Sequence, residues 1–473
     1  MKLEQFHNVF FLGIGGIGMS ALARWFHAKG FRVWGYDRTP TPLTEALAAE
    51  GISVHFADEV RLIPAEVRDH KEETLVILTP AVPADHSQLR FFQAEGYELQ
   101  KRSQVLGLIT RASYTLAVAG THGKTTTSSM LAHLLHASGA GCSAFLGGIS
   151  VNLNSNLLIG EKEAGQDPVV VEADEYDRSF LTLHPHLAIV TSADADHLDI
   201  YGHKEALTDS FRIFVSQIRP GGHLLIHRDV ADAIAPAAHP SVQVVRYGLD
   251  QQGETTATAT ITGIEGRRFR FDVQGPFGEV KNLELPMPGF HNVENALAAI
   301  LAGQIRQVEP EKIRSALASY RGVKRRFEFV WERDGKVYID DYAHHPMEIQ
   351  AFLRSLRALY PGKRLKVIFQ PHLFTRTRDF AAGFAESLSE ADELVMLAIY
   401  PAREKPIPGV TAGMILDQVT APQKRLLSKE EVLEDLERNP DFEVLATVGA
   451  GDIDTLVKPI KNILENRSYA LES

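Results

Sequence analysis

Along the chain, short apolar blocks end in polar or glycine-containing turns, and each turn opens a stretch where apolar residues recur every third or fourth position. The first pattern marks buried strands and the second marks amphipathic helices, so their alternation predicts strand-helix-strand units with parallel sheets. Residues 8–14 read as the first strand, 19–29 as a helix stopped by Gly30, and 32–36 as the second strand, with further strands near Val54 and over 74–78. A linker is expected between Gly107 and Ser113. A second unit then opens with a strand at 115–119 and a helix at 127–138, and continues with strands at 168–171, 187–190 and 223–226. Residues 254–273, with the alternation Arg268-Phe269-Arg270-Phe271, read as antiparallel hairpin strands inserted in that unit, and a helix follows at 292–303. After a basic junction at 321–326, a third unit has strands at 337–341, 365–370, 393–399 and 444–448, with helices at 346–359 and 378–388.

Length agrees: 473 residues, at about 150 per domain, correspond to about three domains. The expected fold class is therefore α/β, divided at 1–108, 109–321 and 322–473. Charge narrows the partners, because 49 Lys and Arg against 60 Asp and Glu leave a net −11, which speaks against a nucleic-acid binder. No run of 18 apolar residues marks a spanning helix. Residues 9–23 imitate a signal peptide, yet Glu4 offsets Lys2 and the glycines spoil a helical core, so a strand-turn-helix is the better reading. The single cysteine, Cys142, cannot form an internal disulfide, which points to a reducing cytoplasm and to a small buried side chain.

Three loops carry chemistry. Gly13, Gly15, Gly16 and Gly18 follow the first strand, where glycines permit a tight turn and close approach to a phosphate at a helix N-terminus. Asp37, 19 residues past Gly18, is placed to accept from a ribose hydroxyl; alone, this pattern leaves open a nicotinamide cofactor in an oxidoreductase or another nucleotide. The segment Gly120-Thr121-His122-Gly123-Lys124-Thr125-Thr126 lies between an apolar strand and a helix. Its N–H groups can surround phosphates, Lys124 adds charge and the Thr125 hydroxyl can ligate Mg²⁺, although Val118 stands where the longer phosphate-loop pattern has glycine. Glu172, in Glu172-Ala173-Asp174-Glu175 at a strand end, is the first choice for a carboxylate on that metal, and Asp194, Asp196 and His197 suit a second one. His291, Asn292 and Asn295 at a helix start, Lys324-Arg325-Arg326, Asp340 to His345, and Gln370 to Arg378 complete the set.

Together these segments resemble the Mur ligases, and the motifs run in the family's order from residue 11 to residue 378. The resemblance implies a Rossmann-like N-terminal domain, a central phosphate-loop ATPase-type domain and a Rossmann-like C-terminal domain. It further implies a cytoplasmic, ATP- and Mg²⁺-dependent ligase of peptidoglycan precursor synthesis, working through an acyl phosphate. The segments around Gly13, Asp340 and Gln370 are similar to those of the alanine-adding member, with UDP-N-acetylmuramate and L-alanine as substrates; a recycling member that adds a whole peptide is the alternative. Carried over by resemblance, Gly15, Gly16, Gly18, Met19, Ser20 and Asp37 would lie nearest the uridine nucleotide. His291, Asn292, Asn295, Arg326 and Asp341 would join residues 120–126 on ATP, and Thr125, Glu172 and His197 would hold metal. Tyr342, His344 and Arg376 would hold L-alanine, with Lys124, Glu172, His197, His344 and Arg376 contributing to catalysis. A monomer or weak homodimer is expected, and Lys124→Ala is expected to abolish activity and leave the fold intact. Two departures from the family pattern are Leu373, where relatives often carry a basic residue, and residues 205–214, where the metal-assisting lysine of several relatives is missing and a weaker second metal site follows.

Overall fold

A computed structural model describes residues 3–111, 113–160, 167–194, 204–250, 255–402, 404–438 and 441–470. The chain divides into two compact units, residues 1–286 with 290–321 and residues 287–289 with 322–473.

The first unit holds two sheets. Its N-terminal sheet comprises β1 (Asn8–Leu12), β2 (Arg32–Tyr36), β3 (Ser53–His55), β4 (Thr74–Leu78) and β5 (Glu98–Lys101), all parallel, in the order β3-β2-β1-β4-β5. Every residue of β1 is buried, as expected for an apolar strand covered on both faces. Strand order reverses between β1 and β4, and such a switch opens a crevice at the carboxyl ends of the strands. Helix α1 (Ile17–Ala28) starts there, immediately after the glycine loop.

The expected linker at 107–113 is instead mostly helix: α2 spans Arg102–Arg111. Val105, Leu106 and Ile109 are buried on one stripe, and Gly107, read from sequence as a breaker, brings the helix close to Thr182, where a Cβ would lie 3.0 Å from the carbonyl oxygen. A division at 108/109 would therefore cut a helix.

The second sheet has ten strands: β6 (Thr115–Ala119), β7 (Ser143–Ser150), β8 (Ser155–Leu158), β9 (Val169–Glu172), β10 (Leu187–Val190), β11 (His223–His227), β12 (Gln243–Leu249), β13 (Ala257–Glu265), β14 (Arg268–Gly275) and β15 (Gly278–Leu285). They run in the order β15-β14-β13-β12-β11-β10-β6-β9-β7-β8. Strands 13 to 15 form an antiparallel meander that extends the sheet edge through the parallel pair β12–β13, so the expected hairpin is a continuation of the sheet and not an insertion. The Arg268–Phe271 alternation holds, with both phenylalanines buried and both arginines exposed. Helix α3 (Lys124–Ala137) follows β6 and is buried along nearly its whole length, covered in part by α5 (Phe290–Ile305). Between them in sequence, α4 spans Lys204–Ser216, so the helix expected to lack lysine begins with one; the Lys204 side chain lies outside the described residues. Cys142, buried at the start of β7, points its thiol at the Ala132 carbonyl of α3, 3.6 Å away.

The second unit holds a six-stranded sheet of β16 (Glu328–Arg333), β17 (Lys336–Asp341), β18 (Leu365–Phe369), β19 (Glu393–Met396), β20 (Gln423–Leu426) and β21 (Val444–Val448) in the order β16-β17-β21-β18-β19-β20. All pairs are parallel except β16–β17. Helix α6 (Pro346–Leu359) matches the sequence reading, whereas the helix expected from Arg378 is two: α7 (Phe374–Asp379) and α8 (Ala381–Leu388).

Candidate active site

Each sheet presents its candidate residues at the carboxyl ends of its strands. In the central domain, β6 delivers Gly120 with φ +139°, where a Cβ would run into the Thr191 hydroxyl. Gly123, with φ +82°, caps α3 and leaves no room for a Cβ beside Asn295 Oδ1, 2.7 Å away. Both positions therefore require glycine. The residues after β10 brace the loop: Thr121 Oγ1 lies 2.9 Å from Ser192 Oγ, the His122 N–H donates to Ser192 Oγ (2.8 Å) and Thr191 Oγ1 donates to the His122 carbonyl. Thr121 Oγ1 also accepts from the Asp194 N–H (3.0 Å), and Asp194 lies 3.8 Å from His122 Nε2. A loop held open in this way, with its N–H groups at the start of a 14-residue helix, is a prepared anion site.

Lys124 folds back over the loop. Its Nζ donates to the Gly120 carbonyl (2.6 Å) and pairs with Glu175 at 2.7 Å, and Glu175 is wholly buried. Burial pushes the ammonium pKa down, but Glu175, Asp174 and Glu172 outweigh it, so the net shift is upward and Lys124 stays charged. Thr125 Oγ1 donates to Glu172 Oε1 (3.0 Å), while Glu172 Oε2 accepts from the Gly147 N–H (3.0 Å). A hydroxyl and a carboxylate side by side form a hard oxygen donor pair that suits Mg²⁺. Thr126 is buried in the first turn of α3. Thr127 donates to Asn295 Oδ1 (3.0 Å), and Asn295 Nδ2 lies 3.4 Å from Asn292 Oδ1, so both asparagines sit buried beside the loop while His291 is exposed on the first turn of α5. His197, expected at a second metal, and Asp196 lie outside the described residues.

In the N-terminal domain Asp37 does not stand free for a ribose. Its Oδ2 accepts from the Gly15 N–H (2.7 Å) and its Oδ1 from the Thr39 N–H (3.3 Å), so it shapes the glycine loop. Gly16 caps α1 without a side-chain bond, leaving the first-turn N–H groups, Gly18 and Met19 among them, without intrahelical acceptors. The side chains of Met19 and Ser20 face inward. Ser20 Oγ donates to the Ile17 carbonyl (2.9 Å) and accepts from buried Asn156 Nδ2 (3.1 Å) of β8, and the Ser20 N–H is spent on the Gly16 carbonyl. Ser20 therefore ties α1 to the central domain rather than facing a ligand.

In the second unit, adjacent arginines divide the work. Arg325, at φ +61°, pairs with buried Asp340 (3.0 Å) and donates to the Gly449 carbonyl (2.5 Å), which is structural. The Arg326 guanidinium lies 5.1 Å from the Tyr342 ring, and Tyr342 meets His344 edge-on at 5.3 Å. Asp341, at the end of β17, accepts from the Phe327 N–H (2.7 Å) and the Ala343 N–H (2.8 Å). His344 Nδ1 approaches the Tyr342 carbonyl (3.0 Å), and its ring lies 6.1 Å from that of His372. Arg376 sits part-buried on the short helix α7, near enough to His344 to act on its charge. Leu373 caps that helix at φ +70°, ψ 137°, a conformation that costs a leucine about 1–3 kcal/mol.

Burial pushes the Asp341 carboxyl up to about 6, against the pull of Arg326 and the two N–H donors. Its contribution to stability is complete below the ordinary 3.8 and is lost as pH rises through 6. Burial pushes His344 down to about 4, with Glu348 opposing and Arg376 assisting, so its contribution is absent at low pH and is gained as pH rises toward the ordinary 6.5. Relative to wild type, His344→Gln is expected to lose stability steadily between pH 4 and 6.5, by about 3 kcal/mol in all. Denaturant melts across that range check this; a constant offset would mean an ordinary histidine.

Comparison with known proteins matches the same three parts. Sequence models of the Mur ligase family cover nearly all of the chain: the catalytic domain over 8–114, the middle domain over 118–303 and the glutamate ligase domain over 325–455. The chain belongs to the Mur ligase family. Among relatives, the UDP-N-acetylmuramate–L-alanine ligase of Cytophaga hutchinsonii is 48% identical over 467 residues, covering 99% of each chain. That of Porphyromonas gingivalis is 50% identical over 458 residues, covering 97% of this chain and 99% of its own. The crystal structure of the UDP-N-acetylmuramate-alanine ligase of Thermotoga maritima superposes with a TM-score of 0.79 at 28% identity, covering 98% of this chain and 99% of its own. A murein peptide ligase from Psychrobacter arcticus shares the fold at 23% identity and TM-score 0.70, covering 96% and 99%.

Within this Mur ligase the sequence reading quoted Glu175 without assigning it a role, and missed Ser192 as the brace of the phosphate loop. Neither has a spacing signal, because a strand end followed by Glu, Ala, Asp and Glu does not say which carboxylate turns inward.

Proposed function

We infer that this chain is an ADP-forming ligase that joins L-alanine to the lactyl carboxylate of UDP-N-acetylmuramate at the expense of ATP. The observation that carries the reading is identity of 48–50% over essentially full length to curated alanine ligases, supported by a phosphate loop whose lysine and threonine meet carboxylates at hydrogen-bond distance. Identity at that level and coverage favours alanine addition over the peptide-adding alternative, and the use of Asp37 within the glycine loop gives the oxidoreductase reading no support.

The lactyl carboxylate oxygen attacks the γ-phosphorus, ADP leaves, and the alanine amine then displaces phosphate from the acyl carbon. Such transfers need positioning and charge neutralisation more than covalent help. Lys124 exchanges Glu175 for the β- and γ-phosphates, and the loop N–H groups at 120–126 hold their oxygens. Thr125 and Glu172 would hold Mg²⁺, which when bound neutralises charge on those oxygens. His291, Asn292 and Asn295 flank the nucleotide, and Arg326 and Asp341 supply contacts from the C-terminal domain. His344, neutral at pH 7, can accept a hydrogen bond from the alanine ammonium, while Arg376 pairs with its carboxylate. The glycine loop, Gly15 to Met19, takes the uridine nucleotide. The three functional parts correspond to about residues 1–108, 109–321 and 322–473, with the first boundary moved to the end of α2. No helix among the described residues is long and apolar enough to cross a membrane. ATP and a nucleotide-sugar as substrates favour a cytoplasmic reaction.

An acceptor panel tests the reading. ADP release is expected to rise only when UDP-N-acetylmuramate and L-alanine are both present, and a tripeptide should not replace L-alanine. Release indifferent to the muramate nucleotide would overturn it.

A further inference from the structure

The last glycine of the first loop, Gly18, has a neighbour that the loop motif alone does not explain. A Cβ on Gly18 would fall 2.6 Å from Arg102 Nη1 and 3.1 Å from its Cδ, so the absent side chain makes room for an arginine laid across the first turn of α1. Arg102 itself opens α2 directly after β5, at the carboxyl edge of the N-terminal sheet. Its other end nitrogen, Nη2, lies 3.7 Å from Asp174 Oδ2, in the acidic segment that follows β9. The guanidinium thus stands between the glycine loop and the segment carrying Glu172 and Glu175. The helix that Arg102 opens is held against Thr182: Thr182 Oγ1 donates to the Ser103 carbonyl (3.0 Å), and Gly107 lets α2 close on the same residue.

We propose that Arg102 binds the diphosphate of the nucleotide-sugar substrate at the start of α1, exchanging Asp174 for phosphate oxygens. This rests on the function inferred above and names the group that reads one substrate. The Arg102–Asp174 pair is long, with Arg102 26% and Asp174 39% exposed, unlike the 2.7 Å pair of Lys124 with buried Glu175, so it is the more readily exchanged of the two. A planar guanidinium can meet two phosphate oxygens at once, and the first-turn N–H groups of α1 face the same anion. Asp174 then holds the arginine in place over the loop.

Calorimetric titration of the full chain with UDP and with uridine, alongside steady-state kinetics, tests the assignment. Wild type is expected to bind UDP more tightly than uridine. Arg102→Ala should lose about tenfold in UDP affinity and leave uridine affinity unchanged, and Arg102→Lys should recover part of the loss. KM for UDP-N-acetylmuramate should rise about tenfold, with KM for ATP and L-alanine within about twofold and kcat little changed. Asp174→Asn, which frees the guanidinium, should tighten UDP. Unchanged UDP affinity in both Arg102 variants, or equal rises in all three KM values, overturns the proposal. If wild type binds neither UDP nor UDP-N-acetylmuramate, the functional reading beneath it fails instead.

Discussion

Replacing Lys124 with alanine is expected to lower ligase turnover by about three orders of magnitude, because the γ-phosphoryl loses the charge that meets it in the transition state. The same variant is expected to keep its fold but to melt earlier. Glu175 is fully buried and Lys124 lies 2.7 Å from its carboxylate. Breaking a buried pair by removing one member costs about 3–5 kcal/mol. The double variant Lys124→Ala/Glu175→Gln also neutralises the buried carboxylate that loses this ammonium, and should regain much of the melting temperature while remaining inactive. Thermal melts and ADP release on the three proteins separate the two effects, and more than a tenth of wild-type turnover in Lys124→Ala would remove the lysine from the mechanism.

Glu172→Gln is expected to behave in the opposite way, with little change in melting temperature and a fall of about 10²- to 10³-fold in turnover at fixed Mg²⁺. An amide can keep both neighbours. Its oxygen accepts from the Gly147 N–H, and its NH₂ donates to the Thr125 hydroxyl, which turns to receive it. Both of these hydrogen bonds survive, so the change in stability should stay within about 1 kcal/mol. What disappears is the anion that would draw a divalent cation to Thr125. A Mg²⁺ titration should show a much higher half-saturating concentration, and an unchanged titration would place the metal elsewhere.

The parts of the fold legible in sequence are those where one local signal suffices. The strands β6 and β10 are short apolar runs, and α6 opens with proline at its first turn and a capping box between His345 and Glu348. The phosphate loop was readable because Lys124 and Thr125 must follow a glycine at a helix start. Elsewhere the signal was present but was overridden. The edge strand β16 pairs with β17 through Asp334-Gly335, both at positive φ, and Asp-Gly between alternating residues is a hairpin signal. Gly107 was read as a break although Val105, Leu106 and Ile109 kept a helical stripe around it. The inward turn of Ser20, the capture of Asp37 by Gly15 and the burial of Glu175 depend on residues far away in sequence, and no local pattern could reveal them.

The lone cysteine gives the molecule an internal reporter. Cys142 is sealed between the start of β7 and the carbonyl of Ala132, and burial raises its thiol pKa, so a thiol reagent can reach it as thiolate only when the central sheet and α3 part. With no other cysteine in the chain, the rate of labelling counts those openings directly. Occupancy of the phosphate loop, which begins α3, should therefore be readable as slowed labelling of the unaltered protein.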